Sequence, residues 1–135
     1  DTDPTVLNKF AAADIIPVLA PVGLGEEGQT FNINADTVPG AVASAVGAAK
    51  LVMMTDGERL MDGSGQLVPR LTEVEAATML RDGTISGGMI PKIETCIAAI
   101  QGKTEAAHIL DGRVPHVLLL EIFTEHGVGT MIKAE

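Results

Sequence analysis

The sequence predicts an α/β domain with helices flanking a mostly parallel sheet, and three observations carry that expectation. Apolar runs of strand length alternate with helix-compatible runs along the chain, the order that a parallel sheet with helical crossovers requires. Hydrophobic residues make up 46% of the 135 residues but aromatic residues only 2%, with no Trp and no Tyr. The core must then be built from Val, Ile, Leu, Ala and Met, which suits close packing of helix on sheet. Finally, 15 Gly and 7 Pro supply enough breakers to separate many short elements. A chain of this length is one domain, large enough to bury a real core.

Taken in order, residues 6–12 predict a short helix. Ile15-Ile16-Pro17-Val18-Leu19-Ala20 reads as a buried strand ending at Pro21, with Pro17 needing a place where its missing N–H is harmless. Residues 22–30, rich in Gly and Glu, read as an exposed turn, and residues 31–34 as a short extended segment. A helix follows over 36–46, with Pro39 in its first turn, where the absent donor costs little, and Gly47 as its cap. Residues 50–55 form the next strand through the apolar run Leu51-Val52-Met53-Met54. Asp62-Gly63-Ser64-Gly65 marks a hairpin-like excursion within residues 56–70. A helix opens at 71–75, where Thr72 and Glu75 have capping-box spacing, and it ends near Asp82-Gly83. Residues 89–101 predict a helix, 106–110 a strand, 115–123 a helix and 129–132 a last strand at a sheet edge.

Charge and composition narrow the function. The net charge is −9, from 18 acidic and 9 basic residues. Nonspecific nucleic-acid binding needs clustered Lys and Arg, and here they are scattered singly. The lone Cys96 can form no internal disulfide and reads as core or helix surface. His108, His116 and His126 lack metal-ligand spacing, so no metal site is expected. No apolar run approaches the ~20 residues of a membrane span, and no signal peptide is visible. The expected location is the cytoplasm, with no membrane partner. The start at Asp1 rather than Met reads as an excised domain or an incomplete chain.

Four stretches can carry chemistry. Gly87-Gly88 precedes an apolar helical run, so this turn is expected to deliver free amides at a helix N-terminus, which attracts anions. Lys92 in that first turn is badly placed for the helix dipole and well placed for a phosphate, although an exposed lysine after a helix-start glycine pair is an equal reading. No GxxxxGK[ST] occurs, so this is not a P-loop. In Asn32-Ile33-Asn34-Ala35-Asp36, alternation puts the two asparagines on one face of an extended segment, at the sheet end where open α/β sheets bind ligands. Asp36 could accept hydrogen bonds from a nearby lysine; alternatively it is an N-cap and the asparagines are turn formers. Thr55-Asp56 lies just past a strand, where a carboxylate can meet a ribose hydroxyl or a metal through water, or serve as a turn residue. Arg113 in Asp111-Gly112-Arg113 fits either an anion or a salt bridge to a neighbouring acid, and Glu121 reads as a solvated helix residue.

Together these stretches resemble the N-acetyl-L-glutamate kinase family, of the amino-acid kinase fold. Residues 31–37 are similar to its (Y/F)NINADT signature, residues 82–92 to DGTISGGMIPK, and residues 111–124 to DGRVPHxLLLEIFT, followed by Gly127-Val128-Gly129-Thr130. The similarity runs from about residue 3 to 132. The resemblance implies an amino-acid kinase-like three-layer α-β-α sandwich, with this chain as the C-terminal, nucleotide-binding half and the N-terminal substrate-binding domain absent. It implies phosphoryl transfer from ATP to the γ-carboxylate of N-acetyl-L-glutamate, a step of arginine biosynthesis. Lys92 would stabilise the moving phosphoryl, Asp36 would organise the catalytic lysines, and Asn32 and Asn34 would face the acetylglutamate. Thr55, Asp56, Gly87, Gly88 and Met89 would line the ATP site, with Mg²⁺ held mainly through phosphates.

His116, Glu121 and Gly129 resemble the C-terminal stretch of arginine-inhibited members, which also assemble as homo-oligomers. One departure stands out. Thr-Asp is usually followed by an apolar residue, with a glycine two positions later, whereas this chain reads Thr55-Asp56-Gly57-Glu58-Arg59, which predicts weakened or altered nucleotide binding. A competing reading is a nucleotide-binding or interaction module without catalysis.

Overall fold

The computed structural model describes residues 2–57, 60–125 and 127–135. Helix α1 (Thr5–Ala12) leads into a two-stranded antiparallel hairpin of β1 (Val22–Leu24) and β2 (Thr30–Asn32). Helix α2 (Thr37–Val46), strands β3 (Lys50–Thr55) and β4 (Arg70–Thr72), and helices α3 (Glu73–Arg81) and α4 (Met89–Gln101) follow. Strand β5 (Ala106–Asp111), helix α5 (Val117–Phe123) and strand β6 (Thr130–Lys133) complete the order. The main sheet runs β3-β5-β6-β4; β3 and β5 are parallel, β4 and β6 are parallel, and β5 meets β6 antiparallel.

The core forms where alternate strand residues point to one face. Leu51, Met53, Leu71, Ala107, Ile109 and Ile132 pack there against Ala43 of α2, Ala76 of α3, and Ile93, Cys96, Ala99 and Ile100 of α4. The small residues bring the helices close. A Cβ on Gly40 of α2 would come within 2.7 Å of the Thr95 side chain on α4. The intervening β5 residues, His108 and Leu110, face the other side of the sheet, and α5 covers that side through the His108–Glu121 contact.

Several expected elements take the forms foreseen. Strand β3 and helix α4 have the expected bounds, and Gly47 closes α2 in the left-handed conformation at φ 61°. Thr72 caps α3: its hydroxyl accepts from the Glu75 amide at 3.2 Å, and the Glu75 carboxylate accepts from the Thr72 amide at 2.7 Å. The Thr72 amide, and then the Thr72 hydroxyl at 3.0 Å, donate to the Glu75 carboxylate and hold it below its ordinary range. The excursion before β4 is a hairpin turn in which the Asp62 side chain accepts from the amides of Ser64 and Gln66 at 2.8 and 3.0 Å.

Four expectations need correction. Residues 15–20 form no strand and are not buried; Ile16 is 89% and Val18 95% exposed. No strand among the described residues pairs with them, and Pro17 withholds an amide from any ladder. Residues 22–30 are not a simple turn but contain β1 and the start of β2, with Gly28 at φ 83° in the connecting bend. Thr72 belongs to the short strand β4, so α3 starts at Glu73. Strand β6 is internal, between β5 and β4; β3 and β4 take the edges of the sheet among the described residues.

Candidate functional site

A cleft of about 490 Å³ opens where β3, the loop before α4 and the start of α2 converge. Its polar wall includes Asp36, Thr55, Asp56, Gly57, Ser86 and Lys92, and its apolar wall Leu60, Met61, Ile85, Met89 and Pro91. Lys92 Nζ donates to Asp36 Oδ1 at 2.8 Å, across 56 positions of sequence. The pair is half-buried, its side chains 19% and 28% exposed. Asp36 is the N-cap residue of α2, yet its side chain makes no capping bond and turns to Lys92 instead. The carboxylate thereby offsets the charge of a lysine lodged at the positive end of α4.

The turn before Lys92 has the backbone its glycines allow. Gly87 lies at φ 58°, in the left-handed region, and Gly88 is the N-cap of α4 without a side-chain capping bond. A Cβ added at either glycine would meet nothing within 4 Å. The glycines are therefore not demanded by packing; they leave space beside the cleft and amides that donate to no group among the described residues.

On the opposite wall, Thr55 is buried and its Oγ1 accepts from the Gly57 amide at 3.1 Å, folding β3 into the cleft floor, with Asp56 exposed at its tip. Glu58 and Arg59, which carry the departure from the family pattern, lie outside the described residues.

Lys92, Asp36, Thr55, Asp56, Gly88 and Met89 thus meet in one cleft; Gly87 does not line it, although its neighbours Ser86 and Gly88 do. Asn32 and Asn34 do not line it. They lie exposed at the end of the separate β1–β2 hairpin rather than at the end of the main sheet. Asn34 Oδ1 accepts from the Asp36 amide at 2.8 Å, fixing the turn that starts α2. Among the described residues no three His, Cys, Asp or Glu side chains form a metal-binding cluster. The exposed Asp56 carboxylate suits a cation that arrives on phosphates better than one caged by protein.

Glu121 and Gly129 meet elsewhere, on the α5 side of the sheet. His108 Nδ1 and Glu121 Oε1 are 2.7 Å apart, and both side chains are buried. Glu121 Oε2 accepts from the amides of Val128 and Gly129 at 2.7 and 3.1 Å. Burial alone would raise the Glu121 carboxyl. Hydrogen bonds from the Val128 amide, His108 and the Gly129 amide outweigh it and hold the group below its ordinary range. The reading of Glu121 as a solvated residue is therefore corrected.

Gly129 has no room for a side chain, because a Cβ would collide with Leu110 and the Ile109 carbonyl. His116 is separate and exposed, at φ 58° at the start of α5. His108 carried no assigned role in the sequence; its signal was a lone titratable residue inside an apolar strand. Cys96 is fully buried, and burial pushes its thiol up to about 12.

Residues 1–111 match the model of the amino acid kinase family. Acetylglutamate kinase from Rhodospirillum centenum is 55% identical over 130 residues, covering 96% of this chain and 43% of that protein. Acetylglutamate kinase from Rhodospirillum rubrum is 56% identical over 132 residues, covering 98% of this chain and again 43% of the relative. The chain therefore spans less than half the length of these curated relatives.

Among solved structures, N-acetylglutamate synthase from Neisseria gonorrhoeae, complexed with coenzyme A and L-arginine, matches with a TM-score of 0.93 at 30% identity, over 100% of this chain and 31% of that one. Carbamate kinase from Giardia lamblia, bound to AMP-PNP, shares the fold at a TM-score of 0.64 and 17% identity, over 82% of this chain and 36% of that one.

Proposed function

Because this chain belongs to the amino acid kinase family, we propose that it is the C-terminal, nucleotide-binding part of an acetylglutamate kinase, built on that fold's three-layer α-β-α plan. The intact enzyme would move the γ-phosphoryl of ATP onto the γ-carboxylate of N-acetyl-L-glutamate, in the cytoplasm, as a step of arginine biosynthesis. The observation that carries this reading is the Lys92–Asp36 pair at 2.8 Å in the cleft beside the Gly87-Gly88 turn. Phosphoryl transfer asks a protein mainly for positive charge and N–H groups around the moving group. Lys92 and the Gly87 and Gly88 amides ahead of α4 supply both, and Asp36 holds the lysine in register.

Thr55, Asp56, Gly87, Gly88 and Met89 would take the nucleotide, with Mg²⁺ adding charge neutralisation when it arrives on the phosphates. Asn32 and Asn34 would meet the acetylglutamate; the amide nitrogen of Asn34 remains available after its oxygen has fixed the Asp36 turn. L-Arginine would act as an inhibitor through the region of His116, Glu121 and Gly129, and the intact enzyme would be a homo-oligomer.

Titration of the purified chain with Mg·ATP tests the reading. We expect Lys92→Ala to weaken binding by about tenfold or more, the value of one charge-assisted contact. Equal, tight binding by both chains would remove Lys92 from the site. We also expect little turnover from the 135-residue chain alone; a rate near that of a full-length kinase overturns the partial-site reading. The competing reading, a noncatalytic module, draws on the same fold occurring in a protein named a synthase. It gains if joining this chain to the remaining part of a relative restores binding but no transfer.

A further inference from the structure

Strands β3 and β5 run in parallel register to their last pair, Thr55 and Asp111. One step further the Gly112 amide donates to the Thr55 carbonyl at 2.8 Å, so the two strand ends leave the sheet tied together. Beyond this point the β3 chain becomes the cleft floor at Asp56-Gly57, and Gly57 has no side chain with which to anchor itself.

Arg113 reaches over from the β5 side. Its amide donates to Asp111 Oδ1 at 3.0 Å, its Nε to the same oxygen at 2.8 Å, and its Nη2 to Asp111 Oδ2 at 2.8 Å. The same Nη2 lies 3.4 Å from the Gly57 carbonyl oxygen, 56 positions away.

We infer that Arg113, aimed by Asp111, is a positioning residue that holds the Thr55–Asp56–Gly57 backbone in its nucleotide-ready shape; the inference rests on the nucleotide-site reading above. Three features separate this role from direct contact with phosphate. Arg113 does not line the cleft. Its charge is paired with a carboxylate that is only 14% exposed, so an anionic ligand would have to compete with that pair, although the Arg113 side chain itself is 60% exposed. The planar fork also fixes direction: two of its donors lie on Asp111, and Nη2 is then held within reach of the Gly57 carbonyl. A lysine at this position has the charge without the fork, so Arg113→Lys should behave like a loss.

The test measures exchange of the Gly57 amide by NMR together with Mg·ATP affinity. It compares the wild-type chain with Arg113→Lys, Arg113→Ala and Asp111→Asn. We expect the Gly57 amide, which donates to Thr55 Oγ1, to exchange about three- to tenfold faster in both arginine variants, the loss of an exposed charge-assisted bond. ATP affinity should fall by a similar factor, while the melting temperature stays within a few degrees.

Unchanged Gly57 exchange in both Arg113→Lys and Arg113→Ala overturns the inference. So does a hundredfold loss of affinity without any change in exchange, which would make Arg113 a ligand contact. A wild-type chain that binds no ATP overturns the nucleotide-site reading instead, and the exchange data still decide whether Arg113 anchors the loop.

Discussion

Two of the acid–base pairs among the described residues, Lys92–Asp36 and His108–Glu121, differ in what surrounds them. Lys92–Asp36 lies at a cleft with both side chains partly open, and one bond joins the two residues. His108–Glu121 is closed over on the α5 side, with side chains 7% and 8% exposed, and Glu121 accepts two amides besides the imidazole. The first pair keeps bonding capacity for something from outside; in the second the Glu121 carboxylate spends its capacity on the protein, while His108 Nε2 is buried without a partner among the described residues. A carboxylate beside a basic side chain can therefore be left open at a cleft or be built into the fold, and saturation of the carboxylate tells the two apart.

The sharpest way to break this contrast is Glu121→Ala. It strips a buried imidazole and two amides of their acceptor at once, and about 3 kcal/mol of stability should go with it, measured by urea unfolding. A loss under 1 kcal/mol would make the two pairs equivalent. The pH dependence follows from the same group. Its folded pKa lies below the ordinary glutamate value. Its contribution is therefore complete above that ordinary value and disappears as the pH falls through the lower, folded one. Glu121→Gln should flatten that acid limb of the stability curve, and an unchanged limb would assign it to other carboxylates.

Next in size is Gly129→Ala. The added methyl collides with Leu110 and the Ile109 carbonyl, so thermal unfolding should register a loss of about 2 kcal/mol. Native-like stability would mean that the segment beside Glu121 shifts freely, contrary to a saturated carboxylate. The smallest stability effect belongs to Lys92→Ala, about 1 kcal/mol or less, because the pair is partly solvated. A loss as large as that of Glu121→Ala would show that Lys92 holds the fold together rather than meeting a ligand.

Legibility in the sequence followed how local the determining interactions are. Strand β3, helix α4 and the Thr72–Glu75 capping box depend on residues a few positions apart, and each was readable. The cleft was partly readable, since a lysine after two glycines and an aspartate at a helix start are visible in sequence. That the two bond to each other depends on a fold that closes 56 positions of sequence.

The pairing order of β6 depends on long-range topology, so an apolar segment near the chain end was assigned to the wrong place in the sheet. Arg113 stood between anion and salt bridge because both need the same charge; only the bidentate seat on Asp111 separates them. Residues 15–20 show the limit of hydrophobic pattern. An apolar run states an affinity for burial, and it becomes a strand only where a partner offers its edge.

That same run has a consequence for how the chain behaves in concentrated solution. Ile16, Val18 and Leu19 are bare enough to make a sticky patch, and extended apolar stretches of this length commonly seed stacking of one molecule on another. Pro17 and Pro21 punctuate the run four residues apart, and neither has a hydrogen to offer a neighbouring chain. A second copy laid alongside finds gaps in the row of donors. The stretch can adhere, but it is a poor template for a fibril, and the prolines act as its gatekeepers.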